Sequence, residues 1–66
     1  MTLITTIVNG TYCAEIYSDI LGGYTVKYYI NEKLVQKTHH MEKNLAEDVA
    51  YGFIEEGGKS SQFLTE

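Results

Sequence analysis

Leu3-Ile4-Thr5-Thr6-Ile7-Val8-Asn9-Gly10-Thr11-Tyr12-Cys13-Ala14-Glu15-Ile16 is the stretch on which the fold turns. Apolar and polar residues alternate on both sides of Asn9-Gly10, and that dipeptide is a strong hairpin signal because both of its residues tolerate the positive φ of a type I′ turn. A turn centred on Asn9-Gly10 sets Val8 opposite Thr11. One face then carries Leu3, Thr5, Ile7, Tyr12, Ala14 and Ile16, and the other carries Ile4, Thr6, Val8, Cys13 and Glu15. The first set is the better core face.

Downstream, Ser18-Asp19 and Gly22-Gly23 bracket Ile20-Leu21, which reads as a longer hairpin loop with Leu21 a candidate to fold back onto the core. Tyr24 to Ile30 alternates again. Tyr24, Val26, Tyr28 and Ile30 share one side and Thr25, Lys27 and Tyr29 the other, with the β-branched and aromatic density of a strand. A turn at Asn31-Glu32-Lys33 sends the chain back through Leu34 to about His39. A two-residue and a three-residue loop give opposite facing for Leu34 and Val35, and both stand open here.

The helix follows. Leu45, Ala46, Val49, Ala50, Phe53 and Ile54 fall at the three-and-four spacing of one apolar stripe, with Glu47, Asp48, Tyr51 and Glu55 toward the opposite side. Asn44 is placed to cap the start, with Glu47 returning the bond, and Gly57 to close the end. Gly52 inside the helix is either tolerated or marks a close approach of another backbone. The expectation is an α+β fold, a three- to four-stranded antiparallel β-meander with one C-terminal α-helix packed on one face. Residues 1–58 form that single domain and 59–66 a short tail, in which Gln62-Phe63-Leu64 either docks or stays free.

Composition limits what such a unit can do. A chain of 66 residues buries only about 60% of the surface its unfolded form exposes, so extra burial usually comes from disulfides, a metal or a second subunit. Cys13 stands alone, which excludes an internal disulfide and favours a semi-buried hydrophobe. Nine acids against five bases give a net charge of −4, and every base is a lysine. Nucleic-acid recognition leans on arginine and a clustered positive footprint, so no nucleic-acid partner is expected. The N-terminal residues read as a strand rather than a signal peptide, and nothing approaches a membrane span, which makes the cytoplasm the default compartment. Asn9-Gly10-Thr11 matches a glycosylation acceptor only formally.

Catalysis finds little support. Adjacent His39 and His40 on an extended segment point to opposite faces and cannot grip one metal, and no Cys or His pair completes a zinc set. Cys13 as nucleophile needs a nearby base, and His39 approaches it only if their strands are neighbours, which a meander forbids. Carboxylate pairs Glu47-Asp48 and Glu55-Glu56 belong to a solvated helix face, and neither Gly-Gly dipeptide is followed by the Lys-Ser/Thr of a phosphate cradle. No cofactor, metal, catalytic residue or small-molecule substrate is assigned.

One helix covers one side of a sheet, and the residues left on the reverse are apolar enough to want a partner. Ile4, Val8, Tyr17, Tyr29 and Tyr51 are the candidate partner-binding residues, the tyrosines because a rigid ring with a polar tip gives contact area at low entropy cost. The expected function is that of a small non-catalytic protein-interaction module, with a structural homo-oligomer, a homodimer in the simplest case, as the alternative.

The run Gly22-Gly23-Tyr24-Thr25-Val26-Lys27-Tyr28-Tyr29-Ile30-Asn31-Glu32-Lys33-Leu34-Val35, followed by Asn44-Leu45-Ala46-Glu47-Asp48-Val49-Ala50, resembles small proteins of unassigned chemistry carried by tailed phages of cyanobacteria. The likeness spans about half the chain and is structural, a hairpin of the type Gly-Tyr-x-Val-x-Tyr-Tyr-x-x-x-Lys-Leu leading to an Ala-Glu-Asp helix start. Where that group has an Asp-Gly turn, this chain has Asn31-Glu32. The resemblance implies a phage accessory protein that binds and modulates a host protein in the host cytoplasm.

Overall fold

The computed structural model describes residues 1–55. Four strands, β1 (Thr2–Asn9), β2 (Tyr12–Ser18), β3 (Tyr24–Ile30) and β4 (Lys33–His40), are followed by α1 (Lys43–Glu55). The strands form one antiparallel sheet in the order β1-β2-β3-β4, a meander, and the helix lies on one of its faces. This is the α+β architecture expected. The boundary at residue 58, the Gly57 cap and the Gln62-Phe63-Leu64 segment lie outside the described residues.

Burial picks out one side of the two central strands. Ala14, Ile16, Val26 and Tyr28 from the sheet and Ala46, Ala50, Phe53 and Ile54 from α1 form the core, with Ile7, Tyr12, Tyr24, Ile30 and Val49 packed around it. Phe53 is the keystone of the helix stripe. Its ring meets Tyr28 at 4.9 Å and Tyr12 edge-on at 6.1 Å between centroids, and full burial of a side chain of this size contributes about 1.5–3 kcal/mol. Leu45 is half exposed and sits at the border of the stripe rather than inside it.

The first turn differs from the sequence expectation. Asn9 pairs with Tyr12, Val8 with Cys13 and Ile7 with Ala14, so the two turn residues are Gly10-Thr11. Gly10 has φ +64° while Asn9 and Thr11 stay out of the positive region. A glycine at the first central position is the signature of a type II′ turn, which needs only one residue with positive φ. The Thr11 carbonyl accepts a hydrogen bond from the Asn31 amide, tying this turn to the β3–β4 turn beside it. The partner of each residue moves by two places, an even number, and the facing of Thr5, Ile7, Ala14 and Ile16 is therefore unchanged.

Leu3 is the exception. The ladder slips between Leu3 and Thr5, leaving Ile4 as the extra residue of a bulge and placing Leu3 opposite Tyr17 on the side away from the helix. A bulge reverses facing beyond it, so Leu3 leaves the core set and is 49% exposed. At the other edge, Asn31 and Glu32 take φ +54° and +68°. That is the two-residue turn, with Ile30 opposite Lys33 and Leu34 opposite Tyr29, and a second bulge at Val35 shifts the register by one residue from Gln36 onward.

Two further expectations are corrected. Leu21 does not fold back; it is 99% exposed at the tip of the β2–β3 loop, which is closed by hydrogen bonds from the Asp19 amide to the Gly23 carbonyl and from the Gly22 amide to the Asp19 carbonyl. Asn44 does not cap α1. The Ala46 amide bonds the Glu42 carbonyl, which makes Glu42 the capping position, and Glu47 lies instead 3.9 Å from Lys43 Nζ, one turn earlier.

Candidate protein-interaction surface

The sheet face away from α1 is organised in three rows that run across the strands. Antiparallel pairing puts Val8, Cys13, Tyr29 and Leu34 in the first row, Thr6, Glu15, Lys27 and Lys37 in the second, and Leu3, Tyr17, Thr25 and His39 in the third. The first row is apolar from edge to edge. It borders a hollow of about 500 Å³ lined by Val8, Cys13, Glu15, Tyr29 and the residues of the two neighbouring turns.

The middle row carries the charge. Tyr17 Oη donates to Glu15 Oε1 at 2.6 Å, and Lys27 Nζ stands 4.8 Å from the centre of the Tyr17 ring, within reach of a cation–π attraction. The bond to Glu15, ahead of burial and the carboxylate's charge, pushes the Tyr17 phenol up to about 12. Burial first and Glu15 second also raise Tyr29. Both phenols therefore stay neutral donors near neutral pH. Cys13 is raised as well, by burial and then by Glu15, which disfavours the thiolate that nucleophilic or redox chemistry needs.

Of the candidate residues, Val8, Tyr17 and Tyr29 come together on this face, and Val8 is 63% exposed. Ile4 occupies the edge bulge beside it. Tyr51 does not join them. It lies on α1, which packs on the opposite side of the sheet, and is half exposed there. Leu34 belongs to the apolar row but was not assigned from sequence, because its facing depends on the length of the Asn31-Glu32 turn. Leu3 was missed because nothing in the alternation marks a bulge at Ile4.

The two histidines separate as the extended backbone requires. His40 faces the helix side opposite Tyr24, with Nε2 2.8 Å from Thr38 Oγ1, which in turn lies 2.7 Å from the Tyr28 hydroxyl. His39 Nε2 lies 2.9 Å from Asp19 Oδ2, and the same oxygen accepts from Thr25 Oγ1 at 2.9 Å. An acid, a histidine and a hydroxyl thus meet, but the hydroxyl donates to the carboxylate rather than to the imidazole, which is not the hydroxyl–imidazole–carboxylate order of a catalytic relay. The cluster braces the loop. Gly23, at φ +86°, lets His39 lie so close that a Cβ there would come within 2.6 Å of His39 Cε1. Sequence reasoning did not join Asp19 to His39, since it is the loop closure that brings them together.

Cys13 and His39 stand on β2 and β4, separated by β3. Among the described residues no group of three or more His, Cys, Asp or Glu is placed to hold a metal ion, and no helix is long and apolar enough to cross a membrane. A second apolar patch lies at the loop end of the sheet, where Ile20 and Leu21 are almost fully exposed near Met1 and Met41. Both sheet edges are interrupted, β1 at Ile4 and β4 at Val35, and bulged edges resist strand addition. Comparison with protein-family models, with curated proteins and with solved structures finds no match for this chain, so its surface chemistry has to be read from its own residues.

Proposed function

We propose that this chain is a small non-catalytic protein-interaction module that docks through the sheet face opposite α1. The observation that carries the reading is the uninterrupted apolar row Val8, Cys13, Tyr29 and Leu34, bordered by a hollow and by a row of charges that fixes orientation. Interfaces combine this kind of desolvated aromatic and aliphatic centre with a polar rim. The bulged edges favour face docking over β-addition. The likeness of residues 22–35 and 44–50 to cyanobacterial phage proteins makes a host protein, bound and modulated by occlusion, the leading partner class.

A second reading, a homo-oligomer with no other partner, is favoured by the self-complementary charges of the middle row. Both readings share one test. Immobilised wild-type chain and Val8→Asp are compared for what each retains from cyanobacterial lysate and from a solution of the same chain. Val8 is exposed enough that the substitution leaves the far-UV circular dichroism unchanged. A species retained by the wild type and lost with Val8→Asp supports the docking face; equal retention by both chains, or none by either, overturns it.

A further inference from the structure

We propose that the uncovered face pairs with the same face of a second copy about a two-fold axis parallel to the strands between β2 and β3, so that Glu15 of each chain meets Lys27 of the other. The inference rests on the docking role given to this face above and takes its second reading, with another copy of the chain as the occupant.

Two identical sheet faces packed in alignment can be related by an axis along the rows or by one along the strands. An axis along the middle row leaves each residue over its own copy: Glu15 over Glu15, Lys27 over Lys27, Lys37 over Lys37. Stacking like charges in a partly desolvated interface is unfavourable on all three counts. An axis along the strands reverses each row and exchanges β2 with β3 and β1 with β4. Glu15 then lies over Lys27 of the second copy, Val8 over Leu34 and Cys13 over Tyr29, while Tyr17 comes over Thr25 and Thr6 over Lys37. Every position in the apolar row meets an apolar residue, and Glu15, the one anion among the twelve residues of the three rows, meets a cation, twice per dimer.

Area decides where the axis lies. Four strands about 4.8 Å apart and seven residues long at about 3.3 Å each cover roughly 450 Å² in projection, consistent with a molecule of 29 × 21 × 18 Å. A standard interface takes about 800 Å² of accessible surface from each partner. Only an axis through the centre of the face uses nearly all of it. An offset axis would give up a strand's width of contact and also misalign Glu15 with Lys27.

Within one chain Glu15 and Lys27 are also cross-strand neighbours, so the test has to separate the two relationships. Wild type, Glu15→Lys, Lys27→Glu and an equimolar mixture of the two variants are followed by sedimentation over a wide concentration range, with thermal melts to confirm that each chain is folded. The wild type is expected to dimerise, and each variant alone to do so roughly tenfold or more weaker, given measured couplings of close interfacial charges. In the mixture the mismatch inside each chain persists while both contacts between chains are restored, and the dimer is expected to return. A wild-type dimer indifferent to both substitutions, or a mixture as weak as its components, overturns the pairing. A wild type monomeric throughout also overturns it, and Val8-dependent capture of another protein in that case leaves the docking reading standing.

Discussion

Gly52 sits in the third turn of α1, where glycine is the poorest helix former after proline, and the structure shows no reason for it to be there. A Cβ built at this position meets nothing within 4 Å. Gly52→Ala therefore adds no clash and almost no contact. What remains is the backbone term, about 1 kcal/mol in favour of alanine in a helix interior, most of it from narrowing the unfolded ensemble. Across 55 described residues a net stability of about 0.05–0.15 kcal/mol per residue amounts to roughly 3–8 kcal/mol, so the gain is a sizeable fraction of the whole. The melting temperature should rise by about 4–8 °C. Urea titration followed by circular dichroism should show a higher midpoint at unchanged slope. An unmoved or lowered midpoint would refute the reasoning, because it would mean that another backbone comes within a methyl's reach of this helix face. If that loss deepened with protein concentration, the second copy would be on α1 and not on the sheet.

Glu32 holds φ +68° in the Asn31-Glu32 turn, a conformation that costs a residue with a Cβ roughly 1 kcal/mol; Glu32→Gly supplies the favoured Asn-Gly pair and should stabilise the chain by about 0.5–1 kcal/mol, read from the same urea midpoint. His40 is held below its ordinary value, first by burial and then by the charge of His39. The unfolded chain consequently takes up the proton more readily. The His40 contribution to stability is present above about pH 6.5 and is lost as pH falls through the lower folded value, a dependence that urea midpoints between pH 7 and 5 should show and that His40→Gln should flatten.

The helix and the facing of the central strands were legible because both are periodic, and the periodicity survives errors of position. Moving the first turn from Asn9-Gly10 to Gly10-Thr11 shifted every partner by two residues and no side chain to the other face. A shift of one would have exchanged the core for the surface. What the alternation could not convey was where it breaks: a bulge adds one residue without any compositional mark, so Leu3 was assigned to the core it does not join. The facing of Leu34 turned on the φ of Glu32, and glutamate is not a residue that announces a left-handed turn. The meeting of Asp19, Thr25 and His39 depended on loop closure between positions up to twenty apart in sequence, for which neither residue type nor spacing gives a sign.

The middle row explains how such a face can remain usable. A sheet side made only of residues like Val8, Tyr29 and Leu34 would associate in any orientation, and uninterrupted edges would extend the sheet from chain to chain. Glu15, Lys27 and Lys37 across the centre make most orientations costly. Within the chain Lys27 faces Lys37 directly, an unfavourable pair, and it lies instead over the Tyr17 ring, whose hydroxyl holds Glu15. An anion held at a fixed place beside this cation is what a partner with the reverse arrangement would satisfy. The same chain, turned about its strands, has that arrangement. A foreign partner would have to present a cation and an anion about one strand spacing apart, with apolar residues to one side. In the docking role proposed for this face the charges act as a filter, at some expense in stability, and the apolar row supplies the attraction that the filter restricts.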